Sequence, residues 1–433
     1  MNEKIVQYII RFLLGEDISG SITATIGYTA DRTLFPRYNI VIIPSGFFAP
    51  SQYGHPSSLP LLPLQEIEGV PLLFGSPQTE TVGATLVIHA DIIASTYFLI
   101  SRYEEMICRK VRDTHGRFPG KESLPYRAGF IHRPIVDEYR LLLRRWLQQT
   151  NLNVPEVKKK IQKVYLTHDV DAPFLYRSWK GFIRSLQRGN SLKKALQYKF
   201  GPVTNDPFYT FPLFWEIDNF LQQKRGSKHC QSIYFFKAGG KGKPDKPHYQ
   251  LQDKDIQQLL QQTIKNKAVI GLHSSYQAGI NPLFIAKEKE KLEKAIHQKI
   301  TFNRHHFLAN REPEDMLQLE ANGITDDFTM GYADVAGFRL GTSYPVQWIN
   351  PVNRRLSPLR LHPLLIMDCS LEEPKYMHLT QQEAEKYSLR LIEEVQKVGG
   401  EISLLWHNNV LADTEKDYQQ VLYTTLIHKL ASL

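Results

Sequence analysis

Residues 163–171 read Lys-Val-Tyr-Leu-Thr-His-Asp-Val-Asp, an apolar run that leads directly into two carboxylates. The apolar residues 164–166 are typical of a short buried strand. Because residues two apart in an extended chain point to the same side, Asp169 and Asp171 face one point at the strand's carboxyl end. Crowded carboxylates repel each other unless a cation or a shared proton lies between them. The pattern therefore predicts a metal ligand beside a general base; a surface turn, where Asp is common, is the alternative.

The bulk composition is that of a soluble globular protein. The chain has 433 residues, of which 42% are hydrophobic and 22% charged, with a formal net charge of +9. This length predicts two or three domains. The densest basic group, Lys158–Lys160 followed by Lys163, is short and precedes the central strand, so we interpret it as a solvated linker. We expect no nucleic-acid partner.

The cysteines and the N-terminal residues indicate the cellular compartment in which the protein is expected. Cys108, Cys230 and Cys369 are far apart and form no C-x-x-C pair, which fits a reducing compartment. Residues 1–15 predict an amphipathic helix that lacks the cleavage pattern of a signal peptide. No run of 18 apolar residues exists, so we expect no membrane span and a cytoplasmic location.

The first half, residues 1–150, predicts a small α/β domain, and residues 151–162 predict a linker. Apolar runs bounded by turn residues predict strands at 38–43, 71–74 and 84–88, with a loop at 49–64. Asp91 is placed to cap a helix over 92–108, and 135–147 predicts another helix.

The second half, residues 163–433, alternates between strand and helix patterns. Strands are predicted at 163–167, 232–236, 268–273, 300–306, 361–367 and 401–406, with a weaker one at 324–329. Helices are predicted at 211–224, 253–266, 283–297, 380–397 and 415–430. Repeated βα units with apolar strands predict a parallel sheet, and six or seven of them predict a closed or nearly closed barrel.

Polar residues follow several of these strands, where barrel enzymes place their chemistry. They are Asp169, Asp171, His273, Arg304, His306, His407 and Asn408. Alternation along the strand gives His306 the parity of Arg304 and turns His305 the other way. One carboxylate and two imidazoles form a usual ligand set for a catalytic zinc, and a second carboxylate and a further His suit a base and an acid.

Residues 163–433 resemble the polysaccharide deacetylase superfamily (NodB homology, carbohydrate esterase family 4). The likeness rests on Thr167–Asp171, Val269–Ser275 and Trp406-His407. The runs Arg304–Leu308, Gly331–Thr342 and Trp406–Asn409 resemble a branch typical of Bacteroidetes. Residues 97–104 and 116–139 resemble the uncharacterised domain usually found before that barrel.

The resemblance implies a distorted (β/α)7-type barrel after a small α/β domain. It implies that Asp169 is the base, that Asp171 and His273 bind a divalent metal, and that His407 is the general acid. The metal expected is zinc, with cobalt or nickel as alternatives. We further expect Arg304 to orient Asp169, and Arg339 and Asn408 to contact the substrate.

The sequence departs from the family at Gln277, where the second motif has another His ligand. Glutamine is a poor zinc ligand, and the parity argument makes His306 its replacement. The function expected is removal of acetyl groups from an N-acetylated sugar or polysaccharide. Two alternatives stay open. One is a small-amide or cyclic-imide hydrolase on the same barrel, and the other is a catalytically weak or inactive carbohydrate-binding protein, which Gln277 favours.

Overall fold

A computed structural model describes residues 3–15, 17–412 and 418–433 of the chain. The residues before 151 are called the first part of the chain, and those from 163 onward are called the second part. The first part contains a four-stranded sheet and a small hairpin. The strands are β1 (Ile26–Tyr28), β2 (Ile40–Ile42), β3 (Gln65–Ile67), β4 (Val70–Leu72), β5 (Gly75–Val82) and β6 (Thr85–Ala90). The four-stranded sheet has the order β1-β2-β6-β5, with β5 antiparallel to β6, and β3 pairs with β4.

Helices cover this sheet and extend beyond it. They are α1 (Glu3–Leu14), α2 (Gly20–Thr23), α3 (Ile92–Ile100), α4 (Tyr103–Ile107), α5 (Leu124–Arg127) and α6 (Ile135–Gln149). Asp91 caps α3 as expected, since its Oδ1 accepts from the Ala94 N–H at 2.9 Å. The single helix predicted over 92–108 is wrong: Arg102 has φ 60° and divides it into α3 and α4. The sequence analysis also missed β1, β3 and β5 and the short helices α2 and α5.

The second part is built on a nine-stranded sheet within the described residues. Its strands are β7 (Lys163–Val170), β8 (Cys230–Lys237), β9 (Val269–Ser274), β10 (Phe302–His305), β11 (Asp326–Met330), β12 (Val346–Asn350), β13 (Arg355–Pro363), β14 (Ile366–Met367) and β15 (Glu401–Leu405). The strand order is β12-β13-β11-β10-β9-β8-β7-β15-β14. Its pairings are parallel except for that of β12 with β13.

The sheet curls into a barrel-like shape at the segment that the sequence predicts as one strand, 361–367. That segment is two strands, β13 and β14, which pair with opposite ends of the parallel array. Between them the Leu364 N–H donates to Met330 at 3.0 Å, and the Leu365 N–H donates to Ser403 at 3.1 Å. The carboxyl ends of β11 and β15 thereby approach each other.

Helices occupy the connections between these strands. They are α7 (Trp179–Gln187), α8 (Leu192–Phe200), α9 (Phe211–Arg225), α10 (Lys254–Lys265), α11 (Tyr276–Ile280), α12 (Phe284–Ile296), α13 (Met316–Ala321), α14 (Asp368–Glu372), α15 (Gln381–Val398) and α16 (Tyr418–Ser432). The sequence analysis missed strand β12 and the helices α7, α8, α11, α13 and α14. Residues 1–2 and 415–417 of two predicted helices lie outside the described residues. No helix in the described ranges is long and apolar enough to cross a membrane.

An apolar layer lies inside the curled sheet beneath the carboxyl ends of its strands. It consists of Tyr165, Ile233, Phe235 and Phe328. A Cβ atom at Gly271 would lie 2.5 Å from the Phe235 ring, so the missing side chain makes room for that ring. The layer forms an apolar floor for the polar residues above it.

The two parts of the chain pack against each other. Asp137 of α6 accepts hydrogen bonds from the Ser343 N–H and hydroxyl at 2.8 and 2.7 Å. Buried apolar residues of both parts belong to one continuous core. The segment predicted as a linker, 151–162, has no helix or strand, and Lys158–Lys160 is exposed. The division at this segment stays a prediction.

Candidate metal and catalytic site

The two carboxylates that end β7 lie in different surroundings. Asp169 is 3% exposed, and its Oδ1 accepts from Arg304 Nη1 at 3.1 Å. Arg304 is itself buried, donates from Nε to the Phe328 carbonyl at 3.0 Å, and lies over the Phe235 ring at 4.7 Å. These contacts fix the guanidinium, and it in turn fixes Asp169 on the floor of the site.

Asp171 faces two imidazoles. Its Oδ1 lies 3.1 Å from His273 Nε2 and 3.3 Å from His306 Nε2. One ligand atom from each of the three residues lies within 4.8 Å of the others, an arrangement that can hold a metal ion. Burial raises the pKa of Asp171, but the imidazoles of His306 and His273 outweigh burial and hold this pKa well below its usual value. Asp171 is therefore an ionised carboxylate.

The other nitrogen of each imidazole is held by a hydrogen-bond acceptor. His273 Nδ1 lies 2.9 Å from the Arg304 carbonyl oxygen, and His306 Nδ1 lies 3.0 Å from Asp245 Oδ1. Because these acceptors require a proton on Nδ1, each ring in its neutral form presents a lone pair at Nε2. Nε2 of His273 and Oδ1 of Asp171 are buried and make no hydrogen bond within the described structure, even though they lie close together.

This donor set fits a divalent cation. Two Nε2 atoms and an ionised carboxylate converge. Burial lowers the pKa of His306, but the Asp171 and Asp245 carboxylates outweigh burial and raise it, so this point favours a positive charge. A divalent cation bound by the neutral rings would supply that charge. Asp, His and His are the ligand types of catalytic zinc sites, and the acceptors behind both rings are the usual outer partners of metal-binding histidines.

A tight turn places His306 beside Asp171. Strand β10 ends at His305, one residue before the predicted end, and His306–Leu308 form a 3-10 turn. Phe307 and Leu308 have φ values of 60° and 52°, a region that side chains disfavour. The Phe307 carbonyl accepts from Arg117 Nη1 at 2.8 Å, which holds the turn.

His305 lies on the other side of the strand from Arg304. Its Nδ1 is 3.2 Å from Asn303 Nδ2 and 3.4 Å from Thr329 Oγ1. These contacts agree with the prediction that His305 points to the opposite side of the strand from Arg304. The orientation of His306, however, depends on the turn after the strand and not on strand alternation alone.

His407 forms a dyad with Asp368. Its Nδ1 lies 2.9 Å from Asp368 Oδ1, and its backbone N–H donates to Oδ2 at 2.6 Å. Burial lowers the pKa of His407, but the Asp368 carboxylate outweighs burial and raises this pKa well above its usual value. His407 Nε2 lies 3.8 Å from Asp171 Oδ2, so a protonated imidazole lies beside the three residues that could hold a metal ion.

A cavity of about 140 Å³ opens above these groups. Its wall includes Asp169, Asp171, His306 and His407, and also residues of loops and of the first part of the chain. Arg117 comes from that first part, and its Nη2 donates to the Tyr376 hydroxyl at 3.2 Å across the cavity wall. The site is therefore assembled from both parts of the chain.

The structure does not bring the two expected substrate contacts to this cavity. Arg339 is buried in an ion pair with Glu105, with its Nε 2.9 Å from Oε1 and its Nη2 2.8 Å from Oε2. Asn408 Nδ2 donates to the carbonyls of Ala172 and Phe208 at 3.0 and 2.7 Å. Arg339 therefore pairs with a buried carboxylate, and Asn408 holds two backbone carbonyls. The hydrogen-bond donors of both side chains are engaged in these contacts.

Gln277, where the superfamily that this chain resembles has a second His, also lies outside the cluster of Asp171, His273 and His306. The Gln277 side-chain oxygen accepts from the Lys241 N–H at 3.3 Å. The cluster takes its second imidazole from His306, on the neighbouring strand's turn. Gln277 thus takes part in a loop contact and not in the metal cluster.

Sequence reasoning missed two carboxylates behind the site. Asp368 follows the predicted strand 361–367, so the same rule that found Asp169 and His407 would have found it. Asp245 follows no strand directly. It accepts from the Tyr276 N–H at 2.7 Å as well as from His306, and no spacing in the sequence indicates this.

Comparison with known proteins gives two similarities. Residues 3–152 match the model of a family described as a family of unknown function, DUF7033. A solved structure described as "putative polysaccharide deacetylase from Mycobacterium smegmatis" is similar to 65% of this chain and 87% of its own, with 13% sequence identity and a TM-score of 0.41. This likeness is too distant to assign an activity. No curated protein matches the chain at a significant level.

Proposed function

We propose that this protein is a metal-dependent hydrolase that removes acetyl groups from N-acetylated sugars. The observation that carries the proposal is the convergence of two imidazole Nε2 atoms on the Asp171 carboxylate, with both Nδ1 atoms already engaged. The motif resemblance at 167–171, 269–275 and 406–407 supports the reaction class.

Asp171, His273 and His306 would hold the cation, and zinc suits this ligand set best. When bound, a divalent cation supplies a Lewis acid that polarises a carbonyl and lowers the pKa of water. The protein's own contribution is to hold these three ligands in fixed tautomers and orientations through Asp245 and the Arg304 carbonyl.

Asp169 acts as the general base. It is buried and lies 3.5 Å from His273 Nε2, so it borders the same space without belonging to the ligand cluster. Arg304 holds one of its oxygens at 3.1 Å, which leaves Oδ2 to accept a proton from water.

His407 acts as the general acid on the opposite side. Asp368 fixes its Nδ1 and favours the protonated ring, so Nε2 carries a proton toward the cavity. Donation of this proton to the leaving amine completes amide hydrolysis. The base and the acid thus have distinct environments, an ion pair with arginine for Asp169 and a carboxylate for His407.

The size of the cavity favours a second candidate, a small-amide or cyclic-imide hydrolase. A cavity of about 140 Å³ is smaller than usual ligand pockets, which span roughly 300–1,000 Å³. It suits an acetamido group or a small amide better than several sugar rings. Release of acetate from N-acetylglucosamine oligomers supports the deacetylase, whereas hydrolysis of a cyclic imide alone supports the second candidate.

Metal analysis tests the site before any substrate is known. We expect about one equivalent of zinc, cobalt or nickel in the purified protein by inductively coupled plasma mass spectrometry. The variants His273→Ala and His306→Ala should lose it, and the exposed His55→Ala should keep it. Equal metal content in all four proteins would contradict the assignment. Full metal content without hydrolysis of any tested amide would favour a carbohydrate-binding protein.

A further inference from the structure

The connection after β7 carries an exposed pair of helices that the catalytic proposal does not use. Helices α7 and α8 pack against each other, and we call them, with residues 178–201, the basic hairpin. Arg177 fixes its base, with its Nε 2.8 Å from Asp255 Oδ2 and its Nη1 2.5 Å from the Gly201 carbonyl. The hairpin therefore projects from a defined anchor.

Large apolar side chains on this hairpin point into solvent. On α7 they recur every three to four residues, and on α8 every four, so each helix presents one apolar stripe. Their exposed fractions are Trp179 64%, Ile183 54%, Leu186 37%, Leu192 60%, Leu196 41% and Phe200 62%. The Trp179 and Phe200 rings are in contact, with centroids 5.8 Å apart, so the two stripes meet. A contiguous exposed apolar surface of this kind marks an interaction site.

The charge around this surface has one sign. From residue 172 to residue 205 the chain has no Asp or Glu. The same stretch carries the cations Arg177, Lys180, Arg184, Arg188, Lys193, Lys194 and Lys199, which account for most of the net charge of +9. On α7 the cations Lys180 and Arg184, and Arg188 directly after the helix, follow helical spacing beside the apolar stripe.

We propose that the basic hairpin binds the surface of an anionic lipid bilayer. A helix that lies in a bilayer interface combines Trp, Phe and Leu on one face with Lys and Arg beside them, as this hairpin does. Anionic headgroups attract the cations, and the apolar stripe enters the boundary between headgroups and acyl chains. This surface is separate from the metal cavity, so the inference stands without the proposed activity.

Charge complementarity favours lipid over a second copy of this chain. Two copies that met through this surface would bring two sets of cations together without an acidic residue from either hairpin. An anionic bilayer neutralises the cations and also covers the apolar side chains. The hairpin begins at residue 178 in the connection after β7, shortly beyond Asp171, so lipid binding would set the orientation of the protein on the bilayer.

The full-length protein carries its own reporter of binding. Of the five tryptophans, Trp179 is 64% exposed, and Trp146, Trp215, Trp348 and Trp406 are at most 9% exposed. Phosphatidylcholine vesicles with and without phosphatidylglycerol are mixed with the protein. With phosphatidylglycerol the protein should float with the vesicles, and its tryptophan emission should shift to the blue. High salt should weaken the binding, because it screens the charges.

Three variants separate the contribution of the hairpin's charges to vesicle binding from that of its apolar side chains and from that of the protein's net charge. Replacing Lys180, Arg184 and Lys193 by Gln should lower vesicle partitioning about hundredfold, at about fivefold per cation. Ile183→Ser with Leu196→Ser should lower it about tenfold or more. The control replaces the exposed Lys158–Lys160 by Gln, with the same change in charge, and should leave binding unchanged.

Three results would overturn the proposal. The first is equal binding to vesicles with and without phosphatidylglycerol. The second is loss of binding in the Lys158–Lys160 control as large as in the hairpin charge variant. The third is a concentration-dependent dimer in sedimentation velocity that Ile183→Ser with Leu196→Ser abolishes, in a protein that does not float with vesicles.

Discussion

Replacement of Glu105 by Gln should destabilise the protein by about 3 kcal/mol at neutral pH. Glu105 is buried between two guanidinium groups, with Arg102 Nε 2.9 Å from Oε2 and Arg339 Nε 2.9 Å from Oε1. Arg102 belongs to the first part of the chain and Arg339 to the second. The carboxylate therefore joins the two parts, and its loss leaves two buried cations without their shared counter-ion.

The magnitude follows from the pKa of the carboxyl. Burial raises the pKa of Glu105, but Arg102 and Arg339 outweigh burial and lower it from 4.5 to about 2. At about 1.36 kcal/mol per pKa unit, this lowering corresponds to about 3 kcal/mol. Loss of one partner from a buried ion pair costs about 3–5 kcal/mol in other proteins, which is the same range.

The sign of the pH dependence is fixed by the lowered pKa. The stabilisation is complete above the unfolded-state pKa of 4.5 and is lost as the pH falls toward the folded-state pKa of about 2. At about pH 3.5, one unit below the unfolded-state pKa, about 1 kcal/mol of this stabilisation should be gone. The difference in stability between wild type and Glu105→Gln should therefore shrink below about pH 4.5.

Urea unfolding followed by circular dichroism measures both quantities. The exposed Glu393→Gln is the matched control and should unfold like the wild type. A Glu105→Gln variant within about 0.5 kcal/mol of wild type at pH 7 would refute the reasoning, because surface substitutions have effects of that size. A difference that stays constant down to pH 3.5 would refute the assigned pKa.

The other predictions concern catalysis and the division of the chain. Asp169→Asn should keep the metal by mass spectrometry and lose at least about a hundredfold in rate, because an amide cannot accept the proton from water; a near-normal rate would remove Asp169 from the mechanism. Asp368→Asn should keep the metal and lower kcat more than it changes KM, with the falling alkaline limb of the pH–rate profile moved to lower pH, because His407 loses the carboxylate that raises its pKa; an unmoved limb would mean that Asp368 is only structural. Gln277→His should tighten metal binding if the family's usual ligand position can still reach the cluster, and unchanged affinity would mean that the loop has moved away. Trypsin should cut at Lys158–Lys160, and the fragments should elute together from gel filtration, because both parts share the continuous core; cleavage only elsewhere, or separation of the fragments, would contradict this.

Local patterns in the sequence were sufficient for the central elements of the second part. The apolar run before Asp169 and the βα alternation after it gave strands and helices close to their observed bounds, because burial on both faces makes parallel strands continuously apolar. The same local rule singled out Asp169, Asp171, His273 and His407, since each lies at or within two residues of the carboxyl end of its strand. These residues are close to one another because parallel strands end at the same edge.

Patterns of this kind could not find what depends on distant partners. Helices α7 and α8 lie in the connection after β7 with most of their apolar side chains exposed, so the amphipathic signal did not mark a core element. Strand β12 pairs antiparallel with β13, a choice set by the partner strand and not by composition. Arg102, at the break between α3 and α4, donates to Glu105 and to the carbonyl of Asn310, and Asn310 is more than 200 residues away in sequence.

The final arrangement of the site was decided by tertiary structure. Parity predicted the side on which His306 lies, but the turn at Phe307 and its contact with Arg117 determine the position of the ring. Arg339 carried a motif resemblance, yet the pairing with Glu105 places it away from the cavity. Residue types and local spacing specify which side chains are available at a strand end. Which of them meet, and which are neutralised elsewhere, depends on long-range contacts that form only when the two parts of the chain pack together.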